Sequence, residues 1–224
     1  MNITKRLLEK DPSLKLFNEG NWSDDYDFKK PGYTSFNDAG VEVEVGEFLY
    51  AIVRVLKPDH VLETGTHWGI GASYMGQALK DNGGGQLDTI EFLGHIYKKA
   101  VERIVQLELE NHVACHLTDA RLFTPENGTR YGLILLDTEP QTRFEEFVRY
   151  FDYLLDGGYI FIHDLHRHMH QIETEGHEFA WPFGKIPSVI KQWVERDLIR
   201  PFHFPTPRGL TGFYKPREDD YKWK

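Results

Sequence analysis

The sequence predicts an α/β fold built on a mainly parallel sheet, and three observations predict it. Short apolar runs alternate with helical stretches between residues 41 and 164. Each run closes on an acid: Glu63, Glu91, Asp119, Asp137 or Asp164. A glycine-rich segment, Val61 to Ser73 (VLETGTHWGIGAS), carries the first run into a helix. Continuous apolar strands separated by helices indicate a parallel sheet buried on both faces. Crossovers between such strands share one hand, so the five acids are expected along one carboxyl rim. Open α/β sheets bind their ligands there.

Taken in order, residues 1–40 are polar and turn-rich. Thr4 is expected to cap a short helix through KRLLEK, ended by Pro12. Trp22, Tyr26, Phe28, Tyr33 and Phe36 need something to pack on. They read first as a flap lying on the domain, and second as a substrate cover or a homodimer contact. In VGEFLYAIVRVLKPDH, Phe48, Leu49, Ile52, Val53, Val55 and Leu56 form a helical stripe, which Pro58 stops. After the glycine segment come a strand at 87–92, a helix facing inward through Ala100, Ile104 and Leu107, and strands at 113–120 and 131–137. TRFEEFVRYFDYLL then reads as a helix with Phe144, Phe147, Val148, Phe151 and Leu155 on one face. GGYIFIHD is the fifth strand, followed by a His- and aromatic-rich insert at 166–187. A helix in IPSVIKQWVERDLI and two strands, PFHFPTP and GLTGFYKP, finish the sheet as an antiparallel pair, for seven strands in all. The expected divisions are an N-terminal extension (1–40), one domain (41–216) and a charged, frayed tail (217–224).

Composition narrows the partners. The net charge of −9 argues against nucleic acid and anionic membrane. Cys115 is the single cysteine, so no intrachain disulfide forms; within VACHL it reads as a small core residue. The N-terminus is charged within its first ten residues, and the apolar runs are too short to span a bilayer. A cytoplasmic location is therefore expected.

Gly65, Gly69 and Gly71 allow a tight turn and close approach to a ligand. The helix that follows directs free N–H groups at that ligand. TGTHWGIG fits two kinds of enzyme: short-chain dehydrogenases, which bind NAD(P), and class I methyltransferases, which bind S-adenosylmethionine. A dehydrogenase needs Y-x-x-x-K downstream of the turn, and the one such pair, Tyr26 and Lys30, precedes it. Carboxylates near the turn suit the ammonium and sulfonium of S-adenosylmethionine and would repel a pyrophosphate.

The chain resembles class I S-adenosylmethionine-dependent methyltransferases, and among them the small O-methyltransferases similar to catechol-type and bacterial sugar and antibiotic enzymes. The resemblance covers roughly residues 41–216 and rests on VLETGTHWG, LDTIE, LTDA, LILLDTEP and LLDGGYIFIHD with the final GLTGFYKP. It implies a Rossmann-like methyltransferase fold. It implies that Gly65, Thr66 and Gly69 shape the methionine pocket with Glu63 nearby, and that Trp68 is among the cofactor-binding residues. Glu91 would take the ribose hydroxyls, and Asp119 and Ala120 would sit at the adenine edge. Asp137 and Asp164 would face the transferring methyl and bind Mg²⁺ or another divalent cation. The acceptor would be a hydroxyl on a small molecule or sugar.

Three positions depart from the family. Gly71 stands where Ser is frequent, Pro140 where catechol-type enzymes have a catalytic Lys, and Leu165 where they have a metal-binding Asn. Among His163, His166, His168 and His170, His166 is the expected substitute, as general base or third metal ligand. The rival readings are an NAD(P)-dependent oxidoreductase and a non-catalytic binding module on the same fold.

Overall fold

The computed structural model describes residues 2–18, 33–36, 40–139, 142–164, 180–181, 184–185, 188–204, 206 and 208–221. Seven strands form one mainly parallel sheet, as expected. The chain divides into two units, Met1–Phe123 and Thr124–Lys224.

The first unit opens with helix α1 (Ile3–Lys10). Its cap is Asn2, whose side chain accepts the Lys5 N–H, and not Thr4. Thr4 lies inside the helix and is spent on tertiary contacts: its hydroxyl bonds Glu47 at 2.7 Å and the Tyr74 hydroxyl at 2.7 Å. A short antiparallel pair follows, β1 (Leu16–Asn18) and β2 (Thr34–Phe36), with Tyr33 and Phe36 buried. Trp22, Tyr26 and Phe28 lie outside the described residues.

Helix α2 (Val43–Leu56) buries Val45, Leu49 and Val53. The inward face is thus narrower than the expected stripe, and Val55 is 79% exposed. The reason is the four-residue spacing of the three buried valine and leucine positions, which places residue 55 on the far side. Lys57 closes the helix in the left-handed region, just ahead of Pro58.

Strands β3 (His60–Thr64), β4 (Gln86–Glu91) and β5 (Val113–Leu117) run parallel in the order β3–β4–β5. Helices α3 (Ile70–Asn82) and α4 (Gly94–Gln106) make the connections. The predicted inward residues Ala100, Ile104 and Leu107 are all buried.

In the second unit β6 (Tyr131–Leu136) pairs in parallel with β7 (Leu154–His163). Strands β10 (Arg200–Phe204) and β11 (Leu210–Tyr214) complete the order β6–β7–β11–β10, with both later pairings antiparallel. Helix α5 (Arg143–Phe151) stops four residues before Leu155, which is instead in β7 and 44% exposed. The apolar spacing alone could not mark that end, because β7 begins at Leu154 and uses the same kind of residue.

Helix α6 (Ser188–Glu195) supplies Trp193, stacked on Phe151 at 4.1 Å between ring centroids. Of the His-rich insert the described residues are β8 (Ala180–Trp181) and β9 (Gly184–Lys185), an antiparallel pair. Glu218–Tyr221 form a 3₁₀ turn, and Asp220 accepts hydrogen bonds from the Tyr214 hydroxyl and the Arg217 N–H. Among the described residues no helix is long and apolar enough to cross a membrane.

Candidate functional site

Among the described residues, two groups hold the predicted site positions, one in each unit. The first surrounds the loop between β3 and α3. The backbone leaves β3 through Gly65, and the N–H groups of Gly65 and Thr66 both bond the Ile90 carbonyl, at 2.9 and 3.0 Å. This clamps the loop onto the end of β4. Gly65 (φ 81°) and Gly69 (φ 84°) are in the left-handed region, where a side chain would be strained. His67 is there too, at φ 49°. Gly69 caps α3 with no side-chain bond, so no side chain at the cap takes up the first helical N–H groups.

Glu91 ends β4 directly beside this loop. Its two carboxylate oxygens each accept one backbone N–H, from His67 at 3.0 Å and from Leu93 at 2.8 Å. Both donors are neutral, so the negative charge is oriented but not cancelled. Each oxygen retains a second acceptor site. Glu63 is buried, and the Thr89 hydroxyl donates to it at 2.5 Å while contacting the Thr66 hydroxyl at 2.5 Å. Trp68 stacks on His67 at 5.1 Å, and the Lys99 ammonium lies 4.2 Å from its ring centre. His67 Nδ1 and Trp68 Nε1 are buried with no hydrogen-bond partner among the described residues. Such atoms in a binding loop fit a site completed by a ligand.

Sequence reasoning missed what braces the loop. Arg103 on α4 donates to the Trp68 carbonyl at 2.6 Å and pairs through Nε with Asp11 at 2.9 Å. Burial alone would raise the Asp11 pKa, but bonds from Ser13 and Arg103 outweigh it and hold the carboxyl below its usual range. Asp11 follows α1, so the N-terminal extension supports the loop.

Asp119, two residues past β5, is bound by its neighbour Arg121 through both the backbone N–H and the guanidinium. Ala120 is buried. Four apolar side chains near these acids are exposed: Phe92 (61%), Leu93, Leu117 and Leu122 (73%). Cys115 is half-buried. Burial and then the charge of Glu63 push its thiol up to about 12, which leaves it unreactive at neutral pH.

The second group lies in the other unit, just past β6 and β7. Asp137 follows β6, and His163 and Asp164 close β7. One ligand-type atom from each of the three lies within 4.8 Å of the others. Asp164 is held in the left-handed region (φ 54°). His163 is fully buried, with Nδ1 at 3.0 Å from Asp137 and 3.7 Å from Asp164.

Arginine dominates the cluster. Arg143, 4% exposed at the start of α5, reaches Asp137 and Asp164 with one nitrogen, 3.3 Å from each. Its other nitrogens bond the carbonyls of Thr138 and His163. Arg208, ahead of β11, donates through Nη2 to Asp164 at 2.9 Å. Its Nε lies 2.8 Å from the other Asp164 oxygen, although that N–H is not aligned on it. Burial would raise the Asp164 pKa, but the charges of His163, Arg208 and Arg143 pull it down to about 2.

This donor set does not fit a divalent cation well. Asp164 Oδ2 accepts from both Arg208 and Arg143, and Oδ1 lies 2.8 Å from Arg208 Nε without an aligned hydrogen bond. Two unit charges 4 Å apart near a protein surface interact by about 4 kcal/mol, and a divalent ion doubles the repulsion from each arginine. His166, expected as base and third ligand, lies outside the described residues, as do Leu165 and Pro140. Arg143 and Arg208 were not foreseen. The one local hint was an arginine opening a helix six positions after a strand-end acid.

With this geometry in view, comparisons identify the fold. Residues 62–165 match a family model described as a methyltransferase domain. The O-methyltransferase TomG from Streptomyces achromogenes, solved in complex with SAM, is similar at 16% identity and a TM-score of 0.65, covering 81% of this chain and 83% of its own. An O-methyltransferase from Bacillus cereus in complex with SAH is similar at 17% identity and a TM-score of 0.64, covering 79% and 83%. An SAH-bound methyltransferase from Podospora anserina is similar at 15% identity and a TM-score of 0.60, covering 77% and 78%. No curated protein sequence matches the chain. The fold is that of the class I methyltransferases.

Proposed function

We propose that this chain, whose residues 62–165 match a methyltransferase-domain model, transfers the methyl group of S-adenosylmethionine to a hydroxyl oxygen of a small molecule. The observation that carries the reading is Glu91. Two backbone N–H groups orient its carboxylate beside the glycine loop and leave it acceptor capacity for a pair of ribose hydroxyls. The first turn of α3, which no side chain caps, and the unpartnered nitrogens of His67 and Trp68 support a ligand at the same loop. Glu63, Gly65, Thr66 and Gly69 would line the methionine end. Phe92, Leu93, Leu117 and Leu122, beside Asp119 and Ala120, offer apolar cover for the adenine. The O-methyltransferases among the similar structures, and the SAM and SAH bound to them, support donor and reaction class.

Transfer is an in-line displacement. An oxygen lone pair forms the new O–CH₃ bond, the C–S electrons return to sulfur, and the acceptor proton passes to a base. Asp164 is a weak base with its pKa near 2. His166 is the proposed base. Its replacement by Ala should cost on the order of 10²–10⁴ in rate once an acceptor is in hand.

Calorimetry with S-adenosylmethionine and with NADH tests the donor. Binding of the first and not the second is expected. NADH binding without S-adenosylmethionine binding would overturn the reading.

A further inference from the structure

We propose that Arg143 and Arg208 occupy the place of a divalent cation between Asp137 and Asp164, so that this chain binds no catalytic metal there. The inference rests on the methyltransferase reading only in calling the place catalytic. The charge arrangement stands without it.

Two carboxylates brought together with a buried imidazole need positive charge to ionise side by side. Here it is covalently supplied. Arg143 bridges the acids with one nitrogen, 3.3 Å from each, and is fixed by the carbonyls of Thr138 and His163. Arg208 contacts both oxygens of Asp164. Two guanidinium charges balance two carboxylate charges, and His163 Nδ1 takes Asp137 as well. An incoming ion would have to displace these partners from Asp164 while sharing the pocket with like charge. Arg143 is almost wholly buried and bound on three sides, so it has nowhere to retreat. Arg208, with its side chain 19% exposed, is the more removable of the two.

The arrangement also changes what an acceptor would meet. A guanidinium stays protonated and donates fixed N–H bonds, whereas a metal acts as a Lewis acid. Arg208 would be a positioning group for an acceptor oxygen, and no hydroxyl is activated by coordination.

Manganese titration followed by the electron paramagnetic resonance of the free ion tests this with no acceptor needed. The wild type is expected to leave the free Mn²⁺ signal undiminished. Arg208→Met should uncover the acids and bind Mn²⁺ at least about tenfold more tightly than the wild type. Adding Asp164→Asn to that variant should abolish the gain. Stoichiometric Mn²⁺ binding by the wild type, lost in Asp164→Asn, would overturn the proposal. A folded Arg208→Met protein with no gain in Mn²⁺ binding would overturn it too, because Arg208 would then not be what holds the ion out. S-adenosylmethionine calorimetry on the same samples reports the methyltransferase reading separately. Wild type that binds both the donor and Mn²⁺ at Asp164 defeats this inference alone, and wild type that binds neither defeats only the donor assignment.

Discussion

The glycine loop and the Asp137–Asp164 cluster both put acids at the ends of parallel strands, yet they treat the charge in opposite ways. At the loop, Glu91 is held by backbone N–H groups. Neutral donors orient a carboxylate and leave its field available to a ligand. In the cluster, the same kind of strand-end acid is held by guanidinium and imidazole groups, and its charge is consumed inside the protein. A strand-end acid therefore marks where ligands bind in such a fold. Its partners decide whether it serves the ligand or the scaffold.

The largest effect that would break this contrast comes from Arg143. Removing a buried ion-pair partner strands uncompensated charge, at about 3–5 kcal/mol. Arg143→Met should lose about that much stability in urea unfolding. A midpoint close to the wild type would show that the two acids do not depend on it.

The cluster also carries a pH signature. The folded pKa of Asp164 lies below its unfolded value, because the pull of His163, Arg208 and Arg143 exceeds the effect of burial. Such a group contributes stability above the unfolded pKa and loses the contribution as pH falls through the folded one. The loss is expected between about pH 4 and about pH 2. Thermal unfolding of Asp164→Asn should be less acid-sensitive across that window, and an unchanged slope would count against the pairing.

Glu91→Ala tests the other side. It should weaken S-adenosylmethionine binding by about 1.5–3 kcal/mol, or roughly 10- to 150-fold in Kd, and urea unfolding reads separately the cost of leaving the His67 and Leu93 N–H groups without their acceptor. Unchanged affinity in calorimetry would remove Glu91 from the ribose site.

Asp11→Asn should do less. It weakens the hold on Arg103, which in turn holds the Trp68 carbonyl. A loss of about 1 kcal/mol in donor affinity is expected, and a larger loss in stability than in affinity would make Asp11 a scaffold residue only. The smallest effect concerns Cys115. With its thiol raised to about 12, the folded protein should react only slowly with a thiol reagent at pH 8, and Glu63→Gln should speed the reaction by removing one of the two causes.

What was legible in the sequence follows from range. Strands and helices declare themselves through apolar period, and the glycine turn through residues a few positions apart. Hence β3, β4, β6, α4 and the closing pair β10–β11 lie close to their expected places. Glu91 was legible because its position is set by the strand it ends. Boundaries were less so: α5 ends at Phe151 ahead of a strand that opens on the same kind of apolar residue, and α1 is capped by Asn2 while Thr4 inside it bonds Glu47 and Tyr74.

The sequence by itself determined the alternation that makes a parallel sheet, the loop where the chain can approach a ligand, and the acids at the strand ends. Only the tertiary structure decided what those acids face. Arg208 reaches Asp164 across 44 positions, and Arg103 reaches Asp11 across 92. The physical reason is that a strand's period is a property of neighbours along the chain. The sign of the charge beside a carboxylate depends on which distant side chain the folded backbone brings within about 3 Å of it.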